Sequence, residues 1–142
     1  MPEQRRPDLG EMLAGLMRAL MAMEQPVLDA HGLTMWGYAV LSTLDDRPVR
    51  TQAALAQAIG ADKTRIIGTL EALQEAGFIS RDPDPADRRV RLLAITEAGR
   101  RVRRAAQARI QEGEEELLAG LSAGERAAFL GVARKLWSRS GS

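Results

Sequence analysis

Between Thr51 and Ile95 the spacing of apolar residues changes period, and that change restricts the chain to few folds. Thr51 opens a short helical run that turns Ala54, Leu55 and Ile59 inward, and Gly60 closes it. Asp62 then caps a second run over 63–76, in which Ile66, Ile67, Leu70 and Leu73 recur at helical spacing and form one apolar stripe. Gly77 stands where a helix commonly ends in left-handed backbone. From there the period drops to two. Residues 78–81 and 90–95 read as short strands, joined by a loop over 82–89 whose Pro83, Pro85, Asp82, Asp84 and Asp87 suit an exposed hairpin connection. Two short helices across the tight Gly60-Ala61 turn, followed at once by a hairpin, predict a helix-turn-helix with a wing. In that arrangement the second helix enters the major groove of double-stranded DNA.

Longer helical runs flank this unit. Leu9, Met12, Leu13, Leu16, Met17, Leu20 and Met23 recur from Asp8 onward, and Pro26 predicts an end or kink near Gln25. Gly32 punctuates, Thr34 caps, and Trp36, Val40, Leu41 and Leu44 make a second helix that stops at Asp45-Asp46-Arg47-Pro48. Thr96 caps a fifth helix reaching about Leu118, with a sparse apolar side of Val102, Ala105, Ala106, Ile110 and Leu117 and a middle weakened by Gly113. Ser122 and Glu125 form a capping box for a sixth helix that carries Phe129, Leu130, Val132, Ala133 and Leu136 and ends near Trp137. The polar stretches 2–7 and 138–142 are expected to fray. The expected fold is mainly α with a small β-hairpin wing, a winged helix-turn-helix with six helices. It forms one domain over 1–142, with a reading lobe at about 33–96 between helical arms at 8–30 and 97–138.

Composition excludes several functions. The net charge is +1, so any nucleic-acid surface must come from local clustering. Lys63 and Lys135 are the lysines among 20 basic residues, and arginine is the better partner for phosphate and guanine, although a GC-rich coding sequence is the simpler source of this bias. With no cysteine, disulfides, thiolate metal sites and thiol switches are ruled out. His31 is the one histidine, expected in an exposed turn, and cannot anchor a multi-histidine metal site. No nucleophile-base pair, metal cluster or phosphate cradle is present, so no enzyme activity and no cofactor are expected. Asp84 and Asp87 are expected in an exposed turn, where nothing tunes their acidity. The first thirty residues interleave Glu11, Arg18 and Glu24 with apolar ones, unlike a secretory leader or a membrane span, so a cytoplasmic location is expected.

The candidate contacts follow from helical geometry. At a hundred degrees per residue, Thr64, Arg65, Gly68, Thr69 and Ala72 lie opposite the apolar stripe of the fourth helix. Arginine can reach guanine, threonine a base edge or a thymine methyl, and the small residues permit close approach. Lys63 at the helix start, and the Thr51 and Gln52 amides at another helix start, can hold phosphates. In the wing, Arg88 and Arg89 can enter the minor groove with Arg81 and Arg91 flanking, and Asp87 reads as an orienting partner for an arginine. A solvated helix face and a charge-balanced turn are the plainer alternatives, and their adjacency weighs against them. Arg100, Arg101, Arg103, Arg104 and Arg109, countered by Glu112, Glu114, Glu115 and Glu116, read mostly as a solvated helix face with i,i+4 pairs. A winged module that binds protein instead would present an apolar or acidic surface where this chain has Arg65, Arg88 and Arg89.

The run Arg81-Asp82-Pro83-Asp84-Pro85-Ala86-Asp87-Arg88-Arg89, then Leu92 to Thr96-Glu97-Ala98-Gly99, resembles the wing and strand-to-helix signature of the MarR family of transcription regulators. Leu73-Gln74-Glu75-Ala76-Gly77-Phe78-Ile79 matches too, and the similarity extends from Gly32-Leu33-Thr34 through the C-terminal helices. Gly68 and Gly37 depart from the residues common at those positions in the family. The resemblance implies that Arg89 is the minor-groove arginine and that Asp62 is an aspartate able to pair with it. Helices one, five and six carry more apolar surface than a small winged domain covers, and the resemblance implies that they intertwine with a second copy. A two-fold homodimer then presents its recognition helices to half-sites ~10 bp apart in a pseudo-palindromic operator. Many relatives bind small aromatic or anionic effectors between the dimer helices and the reading lobe. Met12, Leu16, Met17, His31, Trp36 and Tyr38 can line such a site here, with core packing the simpler role for the methionines. The expected function is a sequence-specific regulator of transcription, a repressor released by a small-molecule effector.

Overall fold

Side-chain caps set most of the helix starts. In the computed structural model, which describes residues 5–140, Thr34 Oγ1 accepts from the Gly37 amide at 3.0 Å and Thr51 Oγ1 from the Ala54 amide at 3.0 Å. Asp62 Oδ1 accepts from the Arg65 amide at 2.7 Å and Thr96 Oγ1 from the Gly99 amide at 3.1 Å. The order is α1 (Leu9–Ala30), α2 (Met35–Asp46), α3 (Gln52–Ile59), α4 (Lys63–Glu75), β1 (Ile79–Pro83), β2 (Arg91–Ile95), α5 (Glu97–Leu118) and α6 (Ala123–Ser140). Gly60 ends α3 at φ 73°, and Gly77 leads into β1 at φ 79°, both in the left-handed region glycine enters without strain. β1 and β2 pair antiparallel, with Ile79 opposite Ile95 and Pro83 opposite Arg91. Val49 adds a one-residue third edge: its amide donates to Leu93 O at 3.0 Å and its carbonyl accepts the Leu93 amide in return at 2.8 Å. A single residue has no period, so the sequence pattern could not show it.

The core gathers Val40, Leu41 and Leu44 of α2, Leu55 of α3, Ile66 and Leu70 of α4, and Ile79 and Leu93 of the hairpin. Leu28 and Leu33 close it from one end, and Ala106 and Ile110 of α5 from another. Each such valine, leucine or isoleucine side chain contributes roughly 1.5–3 kcal/mol through removal from water.

Several expectations change. Pro26 neither ends nor visibly interrupts α1, which runs four residues past it to Ala30. The backbone hydrogen bond that proline forfeits is outweighed because Leu28, 1% exposed, anchors the last turn in the core and its carbonyl takes the Leu33 amide at 2.9 Å. Ala54 is exposed and Ala56 is buried in its place. Ile67 lies outside the Ile66, Leu70, Leu73 stripe and is exposed on α4. β1 begins one residue later than expected and continues to Pro83, and β2 begins at Arg91. Residues 138–140 are helical, their Ser138 and Ser140 hydroxyls each donating to a carbonyl four residues back at 2.8 Å. Arg5 to Pro7 have no regular structure, and the remainder of the expected frayed stretches, 2–4 and 141–142, lies outside the described residues.

Two glycines on α5 are contact points. A Cβ on Gly113 would stand 2.5 Å from Met23 Sδ, so its absence lets α1 close on α5. On Gly99 a Cβ would collide with the backbone carbonyl of Phe78, which cannot swing away because it accepts the Thr96 amide at 3.0 Å. Gly99→Ala is therefore expected to destabilise the chain by about 1–3 kcal/mol, read as a lower urea midpoint with an unchanged slope.

α6 buries none of its side chains within the chain. Phe129, Leu130, Val132, Leu136 and Trp137 on α6, and Leu9, Leu13 and Met17 on α1, are all exposed. Among the described residues no helix is long and apolar enough to cross a membrane.

Candidate nucleic-acid interface

The caps and the core stripe decide which face α4 shows. With Ile66, Leu70 and Leu73 buried, Thr64, Arg65, Gly68 and Ala72 are exposed and Thr69 is half-buried. Thr69 Oγ1 donates to the Arg65 carbonyl at 2.8 Å, which satisfies its hydrogen and leaves its oxygen able to accept. All five residues line one cleft of about 500 Å³ with Trp36 and Gly37 of α2. The outward face expected for α4 is thus a continuous surface. Lys63 is exposed at the start of α4, where Asp62 occupies the first-turn amide of Arg65. Thr51 and Gln52 stand at the start of α3, with the Thr51 hydroxyl on the Ala54 amide.

The hairpin exposes Arg81, Arg88, Arg89 and Arg91. Asp87 Oδ1 accepts from the Arg89 backbone amide and from its Nε, both at 3.1 Å, while Oδ2 lies 3.3 Å from Arg89 Nη2. This grip holds the Asp87 carboxyl below the usual carboxylate range and orients a guanidinium whose side chain is 90% exposed. Asp62 does not join it: that carboxylate is committed to capping α4, and Arg89 is satisfied two residues away. Arg91 Nη1 donates to the Arg81 carbonyl at 3.1 Å, across the ladder. Among the described residues, no carboxylate pairs with Arg65 or Arg88.

Ion pairs behind this face depart from expectation. Asp84 is buried, 8% exposed, with Arg50 Nη2 2.9 Å from its Oδ2, and not a free turn residue. The arginines of α5 are not all solvated: Arg100 Nε lies 2.9 Å from Asp45 Oδ1 and Arg103 Nη1 3.1 Å from Asp45 Oδ2, tying α5 to the end of α2. Arg101–Glu97 and Arg109–Glu112 are the local pairs on that helix. By local pattern Asp45 is only a helix stop, because nothing near it in sequence marks a partner 55 residues away. The Arg100 hydrogen bond, with the charge of Arg103, holds the Asp45 carboxyl below its ordinary value. A carboxylate depressed in the folded chain adds stability that is complete above its unfolded value and is lost as pH falls through its folded one. Asp45→Asn should therefore cost about 2 kcal/mol at neutral pH, discounted for the partly exposed Arg100. The difference from the parent should vanish in acid, below the ordinary carboxylate range, in pH-dependent urea melts.

The residues proposed to line an effector site do not converge within one chain. Trp36 faces the α4 cleft, and Leu16 faces a separate apolar cavity of about 410 Å³ with Leu20, Leu117, Phe129 and Leu130. His31 lines a third hollow with Pro26 and Arg109 and, half-buried, has its Nδ1 2.7 Å from the Val27 carbonyl, which makes it a helix-end residue. Met12 and Met17 are exposed on α1. Tyr38 is half-buried beside Ser42 and Arg103, its hydroxyl pushed up chiefly by burial. Glu24 and Glu114, which the sequence marks only as surface charges, stand near it, and burial raises both carboxyls above their ordinary range.

The MarR family model matches residues 33–90, the span from the start of α2 to the wing tip. The transcriptional regulator HosA of Escherichia coli O111:H- is 33% identical over 104 residues, which cover 73% of this chain and 77% of HosA. The chain belongs to the MarR family. Among solved structures of similar shape, the transcriptional repressor CouR bound to a 23-mer DNA duplex is 26% identical with a TM-score of 0.76, covering 91% of this chain and 92% of that one. CouR from Rhodococcus jostii RHA1 bound to p-coumaroyl-CoA is 27% identical with a TM-score of 0.78, covering 94% and 92%. The six helices and antiparallel hairpin of this MarR-family chain are the family's winged helix-turn-helix.

Proposed function

We propose that this MarR-family chain acts as a homodimeric, sequence-specific regulator of transcription on double-stranded DNA, a repressor that leaves its operator when a small aromatic or anionic effector binds. The carrying observation is the outward face of α4, where exposed Arg65 has no carboxylate partner among the described residues and small neighbours leave room for a groove wall. On this reading Thr64, Arg65 and Thr69 meet base edges, while Lys63 and the starts of α3 at Thr51 and Gln52 meet phosphates. Arg88 and Arg89 enter the minor groove, Arg81 and Arg91 flank them, Asp87 aims Arg89, and Asp62 fixes the first turn of α4.

The arms 8–30 and 97–138 would bury their exposed apolar faces against a second copy, presenting two α4 helices to half-sites ~10 bp apart in a pseudo-palindromic operator. Closure by a second copy would also complete an effector site between those arms and the lobe of 33–96. The CouR structures, one on DNA and one with p-coumaroyl-CoA, support a family design that serves both kinds of partner. We place the protein in the cytoplasm, with the DNA it reads.

Fluorescence anisotropy on a random-sequence duplex across salt tests this reading. Expected is binding at low salt with log affinity falling linearly against log salt, by about 0.9 for each phosphate neutralised. Absence of binding at low salt would count against DNA as the partner.

A further inference from the structure

The wing tip is built on Asp84, and every polar part of that residue is engaged. Its Oδ1 accepts the Ala86 amide at 2.9 Å, and its Oδ2 lies 2.9 Å from Arg50 Nη2. Its amide donates to Val90 O at 2.8 Å, and its carbonyl accepts the Asp87 amide at 3.2 Å. Asp87 passes the constraint on by gripping Arg89, and the Val90 amide returns to the Asp87 carbonyl at 3.0 Å. On the other side, Arg50 lies between Val49, which is stitched to Leu93 of β2, and Thr51, which caps α3. One ion pair therefore links the tip of the wing to the base of the helix-turn-helix.

We infer that Arg50 and Asp84 are positioning residues for DNA reading: their ion pair sets where the Asp87–Arg89 unit stands relative to α3 and α4. This rests on the DNA-binding reading above. With Arg50 60% exposed on its side chain, the pair is worth little to global stability, so its consequence is geometric. An arginine must sit within a fraction of an ångström to fit a narrow groove, and a wing free to pivot loses that register.

Charge alone gives the opposite sign. Removing a carboxylate from a face that meets phosphates should strengthen binding. Asp84→Asn keeps the oxygen that takes the Ala86 amide but turns an amide donor toward the Arg50 donor, so the bracket opens while the surface becomes more positive. For the full chain, the experiment measures affinity for a selected operator across salt, the rate of tryptic cleavage after Arg88 and Arg89 without DNA, and the thermal midpoint. The expected result is about tenfold weaker operator binding, a salt slope shallower by about one unit per wing, faster cleavage in the wing and a nearly unchanged midpoint. Arg50→Lys, which keeps the charge opposite Asp84, should lose less than Arg50→Met, which removes it.

Equal or tighter binding by Asp84→Asn, with the wing as protected as in the parent, would overturn the bracket. Should Asp84→Asn fail to fold, Arg50→Met carries the test: faster wing cleavage supports the bracket, and an unchanged rate overturns it. A parent protein that binds no duplex at low salt would overturn the DNA reading itself, and the cleavage rates measured without DNA separate that outcome from failure of the bracket.

Discussion

Replacing Leu136 with glutamate is expected to leave the lone chain folded while lowering operator affinity on the order of a thousandfold, the factor by which linkage of two reading units exceeds one. Leu136 is 54% exposed and its neighbour Trp137 75% exposed, so neither holds the single chain together. Yet Phe129, Leu130, Val132, Leu136 and Trp137 on α6, and Leu9, Leu13 and Met17 on α1, are all exposed apolar side chains, and on the homodimer proposal they are what a second copy covers. A buried carboxylate without a partner in that surface would cost several kcal/mol per copy, enough to split the pair. Sedimentation velocity should show half the parent mass, circular dichroism an unchanged helix content, and anisotropy the loss of operator binding. A variant that still sediments as a dimer and binds as before would remove this surface from the assembly.

The second large effect separates the two kinds of arginine. Arg89→Ala should weaken binding to every sequence, by roughly 10–100-fold, because it removes a guanidinium that Asp87 has already oriented. Its consequence for folding should be small, since the Asp87–Arg89 pair is exposed. Arg65→Ala should instead act on choice: a bidentate contact to guanine is worth about 1–3 kcal/mol of discrimination, so one position in each half-site should become tolerant of any base pair. Competition with operators substituted one position at a time distinguishes these behaviours. If Arg65→Ala lowered all affinities in parallel, Arg65 would belong with the phosphate contacts.

The parts of the fold legible in the sequence are those with local causes. Thr34, Thr51, Asp62 and Thr96 are caps because a short polar side chain reaches an amide three residues on, and each does so in the structure. The α4 face was legible for the same reason, since three buried positions at helical spacing leave the opposite side to Thr64, Arg65 and Gly68. That Asp87 orients an arginine was readable as well, because the arginine stands two residues on, although the resemblance pointed Arg89 to Asp62 instead. What escaped depends on distance in sequence. Asp45 meets arginines that α5 brings back to it, and Asp84 is buried by an arginine from before α3. Pro26 misled because its penalty is local, whereas the anchoring of Leu28 that overrides it is tertiary. The expected effector residues scatter because hydrophobic spacing shows which side chains leave water, and not which of them share a cavity.

Hydroxyl-radical footprinting on an operator selected from random duplexes tests most directly whether α4 and the wing read DNA as a paired unit. A two-fold reader gives protected patches related by a dyad and centred ~10 bp apart, and Arg89→Ala removes the outer minor-groove protection while the centre remains. A single unpaired patch, or protection identical in the parent and in Arg89→Ala, would contradict it.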